Sequence, residues 1–203
     1  MIKNVVFDLG GVLLEYEPKR FLLSFGFNPE TMQELKNKIF DHPIWLELDR
    51  GTYTFKEAED IIAGNAPELE TEIRRVFSDE KRSLLFGEKH ETVAFMRQLK
   101  KNGYKIYFLS NFSHEGFKYV ESVYGFLNES DGRIISSSVG MIKPERGIYE
   151  ALINNYGLIP EETVFIDDLE QNIKAAVEMN IKGIHFTEIN EVMKKFKILE
   201  DAQ

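Results

Sequence analysis

Five short runs of β-branched and aromatic residues punctuate the chain, at 4–8, 104–110, 134–138, 163–167 and 182–186. Several are continuous rather than alternating, the pattern of strands covered on both faces. Between them, apolar positions recur at helical spacing. Over 88–102 they put Val93, Met96 and Leu99 on one stripe, and Asn102-Gly103 ends it. Over 145–156 Ile148, Leu152, Ile153 and Tyr156 share a face, with Pro144 before it and Gly157 as the stop. Ile173, Ala176 and Val177 do the same over 169–180. Strand–helix alternation of this kind predicts an α/β fold: a doubly wound, Rossmann-like parallel sheet with helices on both faces.

One stretch breaks the pattern. Residues 17–85 are rich in Phe and Leu and carry helical spacing at 18–25, 29–40, 54–63 and 68–82, without a convincing strand. They are expected to form a small helical insertion, leaving 1–16 and 86–203 as the α/β core. The Lys/Glu-rich tail after Glu188 reads as an amphipathic, solvated helix.

Composition narrows the function. The chain has 203 residues, 43% of them hydrophobic, enough for one real core. A net charge of −9 argues against nucleic acid, whose phosphates require a basic face. It leaves room for a small phosphorylated substrate, which needs only a local cationic pocket. Cysteine is absent, so disulfides, thiolate nucleophiles and cysteine metal sites are excluded. No apolar stretch reaches the ~18 residues of a membrane span, and Met1-Ile2-Lys3-Asn4 runs straight into a strand rather than a signal peptide. A soluble, cytoplasmic monomer or homodimer is expected.

The candidate chemistry sits where the strands end. Asp8 follows Val5-Val6-Phe7 and opens onto Leu9-Gly10-Gly11-Val12. A carboxylate at a parallel strand's tip can act as a nucleophile or hold a hard metal ion, or it can merely cap the next turn. Ser110 and Asn111 end the second strand; they can donate to an anion or simply terminate it. Lys143, in Gly140-Met141-Ile142-Lys143-Pro144-Glu145, follows the third; Pro144 suits the first turn of the next helix. That lysine can neutralise phosphate and position a carboxylate, or be an ordinary surface lysine. Asp167 and Asp168 end the fourth strand; adjacent carboxylates repel unless a cation holds them, which suggests Mg²⁺. Asn172 can tie their loop by hydrogen bonds. All four signals fall on one edge of one sheet.

FDLGGVL, LSN, KPE and IDD with a trailing Asn together resemble the haloacid dehalogenase-like superfamily, over residues 1–16 and 86–187. The insertion resembles its small helical cap, and Glu47-Leu48-Asp49-Arg50-Gly51-Thr52 resembles the cap loop that reaches towards substrate. The likeness is nearest to cap-bearing sugar-phosphate phosphatases, including glucose-1-phosphate phosphatases with a DLG motif. The phosphatase domain of soluble epoxide hydrolases is similar in its DD-x-x-x-N segment.

The resemblance implies an aspartyl-phosphate on Asp8, with Mg²⁺ held by Asp8, the Gly10 carbonyl and Asp168, and Asp167 acting through water. It implies that Ser110, Asn111 and Lys143 hold the phosphoryl oxygens. Cap residues would set specificity: Arg20 reaching a phosphate or hydroxyl or pairing with Glu17, Trp45 stacking on a sugar or packing in the core, and Arg50. Gly10 departs from the pattern, since most phosphatases of the superfamily carry an acid/base Asp two residues after the nucleophile. General acid–base help is worth ~10²–10⁴-fold. The implied enzyme is therefore slower, draws on another acid, or works on a leaving group that needs little protonation, such as an anomeric, acyl or enol phosphate. Glu15, Glu47, Asp49 and His114 are the substitute candidates, each also readable as a solvated side chain. A hexose 1-phosphate or other sugar phosphate is the expected substrate. The alternatives are a metal-free haloacid dehalogenase, a phosphomutase, and a non-catalytic phosphate- or partner-binding protein.

Overall fold

Each apolar run becomes a strand of one sheet, and strand and helix alternate except at the insertion. The computed structural model describes residues 1–201, apart from the side chains of residues 79, 80 and 82. Residues 202 and 203, assigned to the core from sequence, lie outside the described residues. The chain begins with β1 (Asn4–Phe7) and a short β2 (Leu14–Tyr16). The insertion follows: α1 (Pro18–Leu23), α2 (Pro29–Leu35) continued by a π-helical turn at Lys36–Phe40, α3 (Pro43–Arg50), α4 (Phe55–Asn65) and α5 (Glu70–Phe77). The core resumes with β3 (Phe86–Glu88), α6 (His90–Lys101), β4 (Lys105–Ser110), α7 (His114–Val123) and β5 (Gly132–Ile135). It ends with α8 (Ser136–Val139), α9 (Arg146–Tyr156), β6 (Thr163–Asp167), α10 (Glu170–Glu178), β7 (Lys182–His185) and α11 (Ile189–Asp201).

The sheet order is β5-β4-β1-β6-β7, parallel throughout. β1 is central, with Val5 opposite Ile106 on one side and Val164 on the other. The chain builds outward from β1 on one side and then returns to the other. Such a reversal opens a crevice at the carboxyl ends of the strands. The continuous apolar runs are explained by burial on both faces. Val5, Phe7, Ile106 and Phe108 pack with Val93, Met96 and Val120 of α6 and α7. Val6, Tyr107, Leu109 and Phe165 pack with Ile148, Leu152 and Ile173 of α9 and α10.

Several elements differ from the sequence expectation. The third strand ends at Ile135, and Ser136–Val139 turn into helix, because the Ser136 hydroxyl is drawn into accepting the Phe112 amide at 2.8 Å. Pro144 lies before α9 rather than in its first turn, behind a cis Lys143–Pro144 bond. β2 and β3 form an antiparallel ribbon flanking the insertion, too short to leave a periodic signal. The 47–52 segment is not a loop: Glu47–Arg50 are the last turn of α3, and Gly51 stops it in a left-handed conformation. The tail helix α11 is not fully solvated. Its Val192 and Phe196 are buried, and Phe196 packs edge-on against Phe95 and Tyr104. Among the described residues no helix is long and apolar enough to cross a membrane.

Candidate active site

Asp8 directly continues β1, its amide donating to Ile166 O at 2.9 Å, and it is 7% exposed. Every bond to its carboxylate falls on Oδ1: Leu9 N at 2.7 Å, Ser110 Oγ at 2.7 Å and Lys143 Nζ at 2.8 Å. Lys143, 3% exposed, also meets Asp167 Oδ2 at 2.7 Å. Asp167, wholly buried, accepts from Leu169 N at 2.8 Å and from Asn172 Nδ2 at 3.0 and 3.1 Å. Asn172 thus ties the loop as expected. Asp167 has both oxygens engaged and anchors the lysine. Asn111 lines the cavity beside this cluster, and its amide also clamps the Lys143 backbone, donating to Lys143 O at 3.0 Å and accepting from Lys143 N at 2.7 Å. It thereby orients the lysine loop.

One lysine faces three carboxylates. Asp8, Asp167 and Asp168 each offer an oxygen, all within 4.8 Å of one another. Burial pushes the Asp8 carboxyl up to about 7; Lys143 pulls it down and Asp167 pushes it further up. Burial opposes the charge on Lys143, yet Asp8 and Asp167 together raise its pKa. Burial and then Asp167 raise Asp168. The donor set is hard oxygen with excess negative charge, which suits a hard divalent cation. The Gly10 carbonyl, in the turn that follows Asp8, accepts no hydrogen bond among the described residues. Gly11 is held at φ 79°, and a Cβ there would sit 2.2 Å from Asp168 Oδ2. The turn must therefore be glycine for Asp168 to approach. Lys89, which the sequence reading passed over inside a predicted helix, donates to Gly11 O at 2.6 Å and braces the same turn.

A cavity of about 500 Å³ separates this cluster from the insertion. Its walls include Phe21, Phe40, Trp45, Phe55, Phe77 and Phe86. Trp45 packs on Phe40 at 4.7 Å and Phe55 at 6.4 Å between ring centroids and also lines the cavity. Arg20 is not brought in. It lies outside the lining, bound to Glu15 at 2.9 Å and Leu84 O at 3.1 Å rather than to Glu17, because its short helix turns it outward. Arg50 is also elsewhere: it grips Glu145 with two bonds of 2.9 and 2.7 Å, joining insertion to core. Of the substitute acids, Glu15 pairs with Arg20, Glu47 bonds Thr52 at 2.6 Å, and His114 is exposed at the start of α7. Asp49 alone of these lines the cavity.

This arrangement agrees with known proteins. The family profile of haloacid dehalogenase-like hydrolases matches residues 2–180. A sesquiterpene phosphatase of Aspergillus oryzae is 25% identical over 190 residues, covering 92% of this chain and 90% of its own. A D-ribitol-5-phosphate phosphatase of Bacteroides thetaiotaomicron is 26% identical, covering 90% of each. A HAD family enzyme from that bacterium, solved with magnesium and inorganic phosphate, superposes with a TM-score of 0.75 at 27% identity, over 92% of this chain and 95% of its own. The chain is a hydrolase, and it belongs to the haloacid dehalogenase-like family.

Proposed function

We propose that this hydrolase is a Mg²⁺-dependent phosphatase that cleaves a small phosphate monoester through an aspartyl-phosphate on Asp8. The observation that carries the reading is the Asp8 carboxylate at the cavity floor, with Oδ1 fully engaged and Oδ2 left for attack, beside the buried Lys143. Oδ2 attacks phosphorus, the ester oxygen leaves, and water then cleaves the acyl phosphate; one difficult step becomes two easier ones. Lys143, with a third N–H to spare, stabilises the phosphoryl oxygens, the Ser110 hydroxyl fixes Asp8 Oδ1, and Asp167, Asn172 and Asn111 hold the lysine still. Asp8, the Gly10 carbonyl and Asp168 would hold Mg²⁺, which when bound offsets the repulsion between carboxylates and a dianionic substrate. The three clustered carboxylates favour this over metal-free dehalogenation.

The organic part of the substrate faces an aromatic wall. Burying hydrocarbon there is favourable, whereas each unpartnered hydroxyl is costly. An apolar alcohol, as in the name of the A. oryzae relative, fits this wall better than a hexose. The sugar-phosphate reading keeps two supports, Trp45 on the wall and a relative named for a polyol phosphate. The test is phosphate release with Mg²⁺ from prenyl monophosphates, hexose 1- and 6-phosphates, a pentitol 5-phosphate and acetyl phosphate. The expected result is highest kcat/KM on the apolar monoesters. Preference for hexose phosphates would overturn the apolar assignment, and no turnover on any of them would overturn the phosphatase reading.

Metal binding has its own readout. Mg²⁺ added to chelator-treated protein at about 100 times its Kd should stabilise the fold by ~2.7 kcal/mol. Asp168→Ala is expected to abolish that shift in melting temperature. An equal shift in both proteins would sink the assignment of Asp168 as a ligand.

A further inference from the structure

Hydrolysis at Asp8 leaves two proton transfers unassigned. The leaving oxygen needs a proton, and the attacking water must lose one. Most groups around the cavity are committed elsewhere. Lys143 is held charged by two carboxylates, and Asp167 is sealed by Lys143, Asn172 and Leu169 N. Asp8 and Asp168 belong to the nucleophile and the metal cluster. Lys36 and Asp41 pair with each other at 2.5 Å. Tyr16, hydrogen-bonded with Trp45, is pushed well above its ordinary pKa by burial and then by Asp49, so it stays protonated throughout. Position 10 offers no side chain, although a Cβ built there meets nothing within 4 Å.

Asp49 is the carboxyl that remains. Three consecutive residues of the insertion dock this point onto the core. The Asp49 carbonyl accepts from Ser136 Oγ. Arg50 grips Glu145. Gly51 lies so close to Ser137 that a Cβ would come within 2.6 Å of its carbonyl oxygen. The docked turn presents the Asp49 side chain to the cavity that holds Asp8 and Lys143, where it accepts a hydrogen bond from the Ser113 backbone. Burial raises its pKa to about 7, with Ser113 opposing, Asp8 adding and Lys143 opposing.

We propose that Asp49, delivered by the cap, is the general acid and base of this enzyme. The proposal rests on the phosphatase reading of Asp8. In the first step Asp8 Oδ2 bonds to phosphorus, the bond from phosphorus to the ester oxygen breaks, and that oxygen takes the Asp49 proton and departs as the alcohol. In the second step water attacks phosphorus and gives a proton to the Asp49 carboxylate. The bond from phosphorus to Asp8 breaks, phosphate leaves, and both aspartates return to their starting forms.

The test compares two aromatic monoesters with full-length wild type and Asp49→Asn in Mg²⁺. Benzyl phosphate expels a basic alkoxide that needs the acid; 4-nitrophenyl phosphate expels a stable phenolate that does not. Asp49→Asn should lose ~10²–10⁴-fold in kcat on benzyl phosphate. On 4-nitrophenyl phosphate it should release one equivalent of nitrophenolate in a burst and then stall, because the acyl phosphate now lacks its base. Trapped phosphoryl-enzyme should account for the burst. Gly10→Asp added to Asp49→Asn should restore turnover, since a Cβ at position 10 meets nothing within 4 Å. Equal losses on both substrates with no burst, in variant protein that still gains stability from Mg²⁺, would overturn the proposal. Failure of the underlying reading looks different: wild type would not turn over, or turnover would survive Asp8→Asn, before Asp49 is touched.

Discussion

Lys143→Met is expected to cost both the fold and the reaction. The ammonium is 3% exposed and is the cation that bonds Asp8 and Asp167, at 2.8 and 2.7 Å. Removing one partner of a buried ion pair costs about 3–5 kcal/mol, because the charge left behind has neither water nor a counter-ion. Against a total stability of about 5–15 kcal/mol that is a large fraction. The pH dependence has a definite sign. The folded-state pKa of Lys143 lies above its ordinary 10.5, so its stabilisation is fully present below pH 10.5 and is lost only above it. The carboxylates left behind can relieve their repulsion by taking up protons. The deficit of the variant should therefore be larger at pH 8 than at pH 5. Urea denaturation of metal-free protein at the two pH values measures this. A variant as stable as wild type at pH 8 would refute the view that Lys143 holds the site together. Phosphate release should fall with it, since an incoming dianion would meet three carboxylates unscreened.

The core of this molecule could be read from its sequence because of how it is buried. Strands covered on both faces are written as unbroken Val, Ile, Phe and Tyr, and parallel strands deliver their tips to one edge. Asp8, Ser110, Lys143 and Asp167 thus converge although up to 159 residues separate their ends (167 minus 8). The cap was less legible. Its helices are short, and residues such as Arg20 and Arg50 take their roles from partners that no local pattern names. Pro43 and Gly51 bracket α3 as start and stop, and that signal could have identified the helix. Nothing local distinguishes Asp49 from Glu47, two residues before it; one faces the cavity and the other Thr52 because residues two apart on a helix point to nearly opposite sides. Asn111 stands out at its strand end and lines the cavity, but its second partner, the Lys143 backbone 32 residues on, leaves no local signal.

Asp8→Asn should abolish turnover while leaving the metal-free protein at least as stable as wild type. The kinetic loss follows from removing the attacking carboxylate, and loss of a covalent nucleophile costs on the order of 10⁶ in kcat. Stability should move in the opposite direction. Burial, helped by Asp167 and only partly opposed by Lys143, raises the folded-state pKa of Asp8 from 3.8 to about 7. A carboxyl raised in this way binds its proton more tightly when folded. Its penalty is absent below pH 3.8, grows as pH rises towards 7, and is full above that. Asparagine has the same shape, keeps an oxygen for Leu9 N, Ser110 and Lys143, and carries no charge. The stability of Asp8→Asn relative to wild type should therefore improve between pH 4 and pH 8, measured in chelator by urea denaturation. In wild type Mg²⁺ should close the gap, because the cation removes the repulsion that asparagine removes by substitution. A variant equally destabilised at both pH values would mean that Asp8 is a structural anchor and not a strained nucleophile. The expected pattern would mean that the fold tolerates an unfavourable carboxylate at its sheet edge because that carboxylate does the chemistry.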